Sequence, residues 1–161
     1  METRRPLLTR GALYLLVAML GGVLAAPAGA RTASSVAIPI SGTVDGSPES
    51  VSVSGMARIT STLVKTDAKF HHPPRVILAF DFHRVSGTGI STGTRYVTRS
   101  RDEMLRRLVV SDVVEIAFPL QPKVAKGVTP ARAGLASFTL SFDVNTGALT
   151  GGTGTVSTPG S

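Results

Sequence analysis

Cysteine and tryptophan are missing from this chain of 161 residues, tyrosine occurs twice and phenylalanine six times. Without cysteine there is no disulfide framework and no lipid anchor on an N-terminal cysteine, so stability has to come from packing and hydrogen bonds. Acidic residues are scarce as well, 10 against 17 Lys and Arg. That imbalance favours a soluble basic protein with a mild bias toward anionic partners and carries no information about fold. Long apolar runs are absent. The longest, Leu13 to Ala26, falls short of the roughly 20 residues that a membrane helix needs, and a proline follows it. A membrane β-barrel is disfavoured by the same poverty of aromatics, because such barrels carry aromatic girdles at both interfaces.

What is present begins with a secretory pattern over residues 1–30. Arg4, Arg5 and Arg10 give a positive start, Gly11 to Ala26 gives an apolar stretch, and Ala28-Gly29-Ala30 gives a small-x-small cleavage site. Thr3 to Leu8, "TRRPLL", also resembles a twin-arginine export signal. Cleavage after Ala30 would leave 131 residues, Arg31 to Ser161, with 14 basic and 9 acidic side chains. That length suits one domain able to bury a real core. Export to the periplasm or the medium is the expectation, with residues 31–156 as the single domain and 157–161 as a frayed tail.

Strand patterns dominate this region. In Glu49 to Gly55, Val51 and Val53 alternate with Ser50, Ser52 and Ser54, the period-two mark of a half-buried strand. Similar segments lie at Val36 to Val44, Ala57 to Lys65, Arg75 to Val85, Arg95 to Thr98, Val113 to Phe118, Leu135 to Val144 and Ala148 to Val156. The strongest is Leu135 to Val144, where Ala136, Phe138, Leu140, Phe142 and Val144 make one apolar face. Val44 to Pro48 and Asn145 to Gly147 offer turns between strands. Ser100 followed by Glu103 resembles a helix capping box, and Met104, Leu105 and Leu108 then make one apolar stripe, which predicts a short helix over 101–108. Asp102 with Arg106 and Glu103 with Arg107 would be ion pairs one helical turn apart. Pro119 to Gly134, with three prolines, reads as a long surface loop, and Ser86 to Thr94 as a flexible connection. The expectation is an all-β domain of about eight antiparallel strands, a barrel or a sandwich, with one short helix.

The chemistry candidates are few. All three histidines fall in "HHPPRVILAFDFHRVSG", His71 to Gly87. His72 and His83 would be about 36 Å apart on extended chain at roughly 3.3 Å per residue, too far to share a metal unless the chain folds back. Asp81 and His83, two residues apart, share a strand face, and an added group such as Glu115 or Asp143 would complete a metal site. Gly89 to Gly93 matches G-x-S-x-G, but that elbow needs a strand-to-helix turn and a later histidine, and every histidine lies before Ser91. The glycines lack Rossmann and P-loop spacing, so no cofactor is expected. Arg84, Arg95, Arg99 and Arg101 form a candidate anion site, since guanidinium grips phosphate, sulfate or carboxylate bidentately. Nucleic acid is not expected as a partner, because no stacking aromatic other than Tyr96 accompanies these arginines. The leading expectation is therefore a non-catalytic binding or structural module of the bacterial cell envelope, its partner an anionic envelope polymer or a small apolar ligand. A metal-dependent enzyme built on Asp81 and His83 and an anion-binding protein are the alternatives.

Overall fold

The computed structural model describes residues 33–64, 73–123 and 131–160. The secretory pattern over 1–30, His71, His72 and part of the stretch from Pro119 to Gly134 lie outside the described residues.

Eight strands follow one another: β1 (Ala33–Val44), β2 (Val51–Val64), β3 (Arg75–Gly89), β4 (Arg95–Val97), β5 (Arg101–Arg107), β6 (Ser111–Pro122), β7 (Arg132–Phe142) and β8 (Leu149–Ser157). Among the described residues there is no helix, and so none long and apolar enough to cross a membrane. Alternation decides the faces, since successive side chains of a strand point to opposite sides. Ile38, Ile40 and Val44 of β1, Val51, Val53, Ala57 and Ile59 of β2, and Val114, Ile116, Phe118 and Leu120 of β6 are all buried. Phenylalanines join the two sides of the core: Phe82 of β3 stacks on Phe118 of β6 at 4.9 Å, and Phe80 lies 5.6 Å from Phe138 of β7. Each fully buried side chain of this size contributes about 1.5 to 3 kcal/mol relative to exposure.

Hydrogen bonding makes one mixed sheet that returns on itself. Strand β1 pairs with β2, β2 with β3, β3 with β4, β4 with β6, β6 with β7 and β7 with β8. The ring closes where β8 meets β1 in parallel, Gly42 opposite Val156. A Cβ at Gly42 would run into the Val156 carbonyl oxygen, so only glycine admits this approach. Ser157 ends β8, and the hydroxyl of Thr158 accepts a hydrogen bond from the Asp45 amide at 2.7 Å.

The segment expected as a helix over 101–108 is instead strand β5, Arg101–Arg107, with Leu108 just beyond it. Arg101 to Arg107 lines up antiparallel with Asp81 to Arg75, and Met104 packs against the core. An isolated two-turn helix is marginal in water, whereas this pairing satisfies a run of backbone groups along β3, so tertiary pairing overrides the local capping pattern. The helical ion pairs vanish with the helix. Arg106 instead reaches across to Asp112 at the start of β6, through Nε at 2.8 Å and Nη2 at 2.7 Å. The sheet is mixed rather than antiparallel throughout. Gly55 does not divide two strands but lies inside β2, where a Cβ would strike the backbone of Arg84 and Val85. Ser86 to Gly89 continues β3 instead of opening a flexible connection, and Pro119 to Pro122 and Arg132 to Gly134 belong to β6 and β7.

Candidate functional site

A bulge in β3 organises the outer face. Between the pairs Met56 with Arg84 and Arg58 with Asp81, β2 supplies one residue and β3 supplies two. Burial follows Val76, Leu78, Phe80 and Phe82, then shifts to Val85, leaving His83 and Arg84 side by side at the surface. The extra residue re-aims the chain, as bulges do. His83 thereby folds back on Asp81: its amide donates to Asp81 Oδ1 at 2.9 Å, and its Nδ1 lies 2.6 Å from the same oxygen. Arg101 Nε donates to Asp81 Oδ2 at 3.2 Å. The amide of His83, its ring and the Arg101 guanidinium together hold the Asp81 carboxyl below the usual carboxylate range, against the opposing effect of burial.

Register then builds a row across four strands: Ala37 of β1, Arg58 of β2, Asp81 of β3 and Arg101 of β5. Small residues in this row and the next leave hollows among long ones. One, of about 390 Å³, lies over Ala79 between Arg58, Thr60, Asp81, Arg101 and Glu103. The other, of about 280 Å³, lies over Ala37 between Met56, Arg58, Asp81, His83 and Arg84. Arg58 and Asp81 line both.

The residues expected from sequence are only partly gathered. Asp81 and His83 meet, but Glu115 and Asp143 do not join them. Glu115 accepts from Ser137 at 3.2 Å, and Asp143 is engaged in its own turn by the Asn145 amide and the Thr146 hydroxyl, both at 2.9 Å. Among the described residues no three His, Asp or Glu side chains are grouped as a metal ion would need. Of the four arginines, Arg84 borders the second hollow and Arg101 is engaged by Asp81. Arg95 lies on β4 and Arg99 in the link to β5, both exposed. Ser91 sits in the turn after β3, its amide donating to Glu49 at 3.2 Å. Sequence reading missed Arg58, which comes from the other side of the row. It also missed Arg75 and Arg107, which face each other across β3 and β5. Arg58 and Arg75 are single arginines on outward strand positions that no pattern along the chain marks, and Arg107 was read as the helical partner of Glu103. Among the described residues, Arg58, Arg75, Arg84, Arg95, Arg99 and Arg107 take part in no ion pair.

A second polar cluster lies at one end of the ring. Glu49, 5% exposed, accepts hydrogen bonds from the amides of Ser91 and Thr92, the Thr92 hydroxyl at 2.8 Å and the Tyr96 hydroxyl at 3.4 Å. These donors hold its carboxyl below the usual range despite burial. Burial first, and then the Glu49 carboxylate, push the Tyr96 phenol upward, while Arg132 opposes them from nearby. Arg132 has its Nε and Nη2 groups buried and without a hydrogen-bond partner.

No protein-family model matches this sequence, and neither the curated proteins nor the solved structures give a significant match.

Proposed function

We propose that the chain is an exported, non-catalytic β-domain of the bacterial cell envelope whose outer β2–β5 face binds an anionic polymer. We read the self-closing sheet as a small closed barrel rather than a sandwich, its interior filled by side chains, which leaves recognition to the outside. The observation that carries the binding reading is the arginine face itself. Arg58, Arg75, Arg84, Arg95, Arg99 and Arg107 stand exposed without ion-pair partners along β3 and its neighbours, and the hollow bordered by both Arg58 and Arg84 gives a phosphate, sulfate or carboxylate group a seat. The basic leader and its small-residue cleavage site support export.

Retention of the full chain on heparin, as a stand-in polyanion, against neutral dextran tests the reading. Binding to heparin that weakens with salt, and weakens further in the double variant R58Q/R84Q, is the expected result, because each lost phosphate-like or sulfate-like contact reduces counterion release. Equal retention on both polymers, or retention indifferent to salt, would overturn it.

A further inference from the structure

Arg106 and Arg132 make an internal comparison. Arg106 uses its Nε and Nη2, the two donors on one edge of the guanidinium, to hold the Asp112 carboxylate in a fork. Arg132 has the same two donors buried and unpartnered. Its charge is permanent, and a buried charged donor without an acceptor is costly. The chain offers no carboxylate for it: among the described residues none lies within ion-pair distance of Arg132. Glu49, which shares this end of the ring, is already engaged by Ser91, Thr92 and Tyr96. The backbone of Gly46 closes against Nη1, where any side chain would collide, so the guanidinium is backed from that side.

We infer that the Nε and Nη2 edge of Arg132 anchors an oxyanion site at this end of the ring, taking the carboxylate or phosphate group of a small ligand in a two-point grip. This site is separate from the outer arginine face. A bidentate fork fits a pair of oxygens on one carbon or phosphorus, which is how Asp112 sits on Arg106. The chemistry shared by the two candidate ligands is that oxygen pair.

Nitrogen-15 NMR of the full chain tests the inference through the Arg132 Nε–H resonance, assigned by through-bond experiments. The protein is titrated with acetate in one arm and inorganic phosphate in the other, at constant ionic strength held with sodium chloride. A saturable shift of this resonance in either arm is the expected result, and the arm that saturates at lower concentration identifies the carboxylate or the phosphate. Arg132→Lys, which loses the fork but keeps the charge, should weaken the binding at least tenfold, whereas Lys123→Gln should leave it unchanged. The absence of a saturable shift in both arms would overturn the site, as would equal affinity in Arg132→Lys. The double variant R58Q/R84Q distinguishes this site from the outer face: an acetate or phosphate response lost in that variant would place the anion outside and also overturn the inference.

Discussion

Strands β2 to β5 and strands β6, β7, β8 and β1 look onto the same interior, yet they present different exteriors. The first group carries Arg58, Arg75, Arg84, Arg95, Arg101, Arg106 and Arg107, while Arg132 is the single cation in the second. Outward positions in the second group are small and mostly neutral, such as Ser35, Ser41, Ser137, Thr139 and Ser141. Inward positions in the two groups are alike, Ile59 and Phe80 on one side, Phe118 and Phe138 on the other. Burial restricts an inward position to an apolar residue of suitable volume, whereas an outward position is left open to whatever the surroundings require. A concentration of one charge on one side is therefore a feature that folding does not demand, which is why the proposed binding face is placed there.

The two groups depend most heavily on the interior that both share. Phe138 of β7 meets Phe80 and Phe82 of β3, so Phe138→Ala removes contacts across the interior and should cost about 3 to 5 kcal/mol in urea unfolding. A loss below about 1 kcal/mol would mean that the two sides do not depend on one packed core. Next in size is the seam at which the groups are sewn together. Gly42→Ala pushes a methyl group against the Val156 carbonyl and should cost about 1 to 3 kcal/mol, as overpacking does, with the amides of β1 and β8 losing hydrogen-exchange protection before those of β6 and β7. Uniform loss of protection would argue against the seam as the weak line.

Acid acts on both groups, because each contains a carboxyl held below its ordinary value: Asp81 beneath the arginines, through the His83 amide first, and Asp143 in the β7–β8 turn, through the Asn145 amide first. A carboxyl with a lowered folded pKa binds protons more readily when the chain is unfolded. Its contribution is complete above the unfolded value of roughly 3.9 and is lost as pH falls through that value toward the folded one. Unfolding monitored from pH 6 to pH 2 should show stability declining below about pH 4, with a shallower decline in Asp81→Asn and in Asp143→Asn. Slopes identical to the parent chain in both variants would count against these assignments. The smallest effect belongs to the outer face itself. R58Q/R84Q, which is expected to weaken polyanion binding, should change unfolding stability by no more than about 0.5 kcal/mol, because exposed side chains without partners contribute little to folding. A larger loss would make these arginines structural and remove the contrast between the two faces.

Where the chain was legible, it was legible through alternation. Val76, Leu78, Phe80 and Phe82 announce one buried face, and the same pattern in Leu135 to Phe142 marks the inner side of β7. Pairing Asp81 with His83 on one face was also within reach, since two residues separate them. Their direct contact was not, because it depends on a bulge created by a mismatch with β2, a strand more than twenty positions away in the chain. Segment 101–108 misled for a related reason: Ser100, Glu103 and Met104 state a local helical preference, and the free edge of β3 outweighs it.

Period two is a property of neighbouring residues, so the chain's own pattern established a β-protein and the inner faces of β3 and of β7 as far as Phe142, while Val144 and Leu105, expected on apolar faces, are exposed. Register is a property of pairs of segments, and a shift by a single residue would turn every side chain of a strand to the opposite face. Tertiary structure alone decided that Arg58, Asp81 and Arg101 share one row, that β8 closes on β1 at a glycine, and that Glu49, Tyr96 and Arg132, far apart in the chain, gather at one end of the ring.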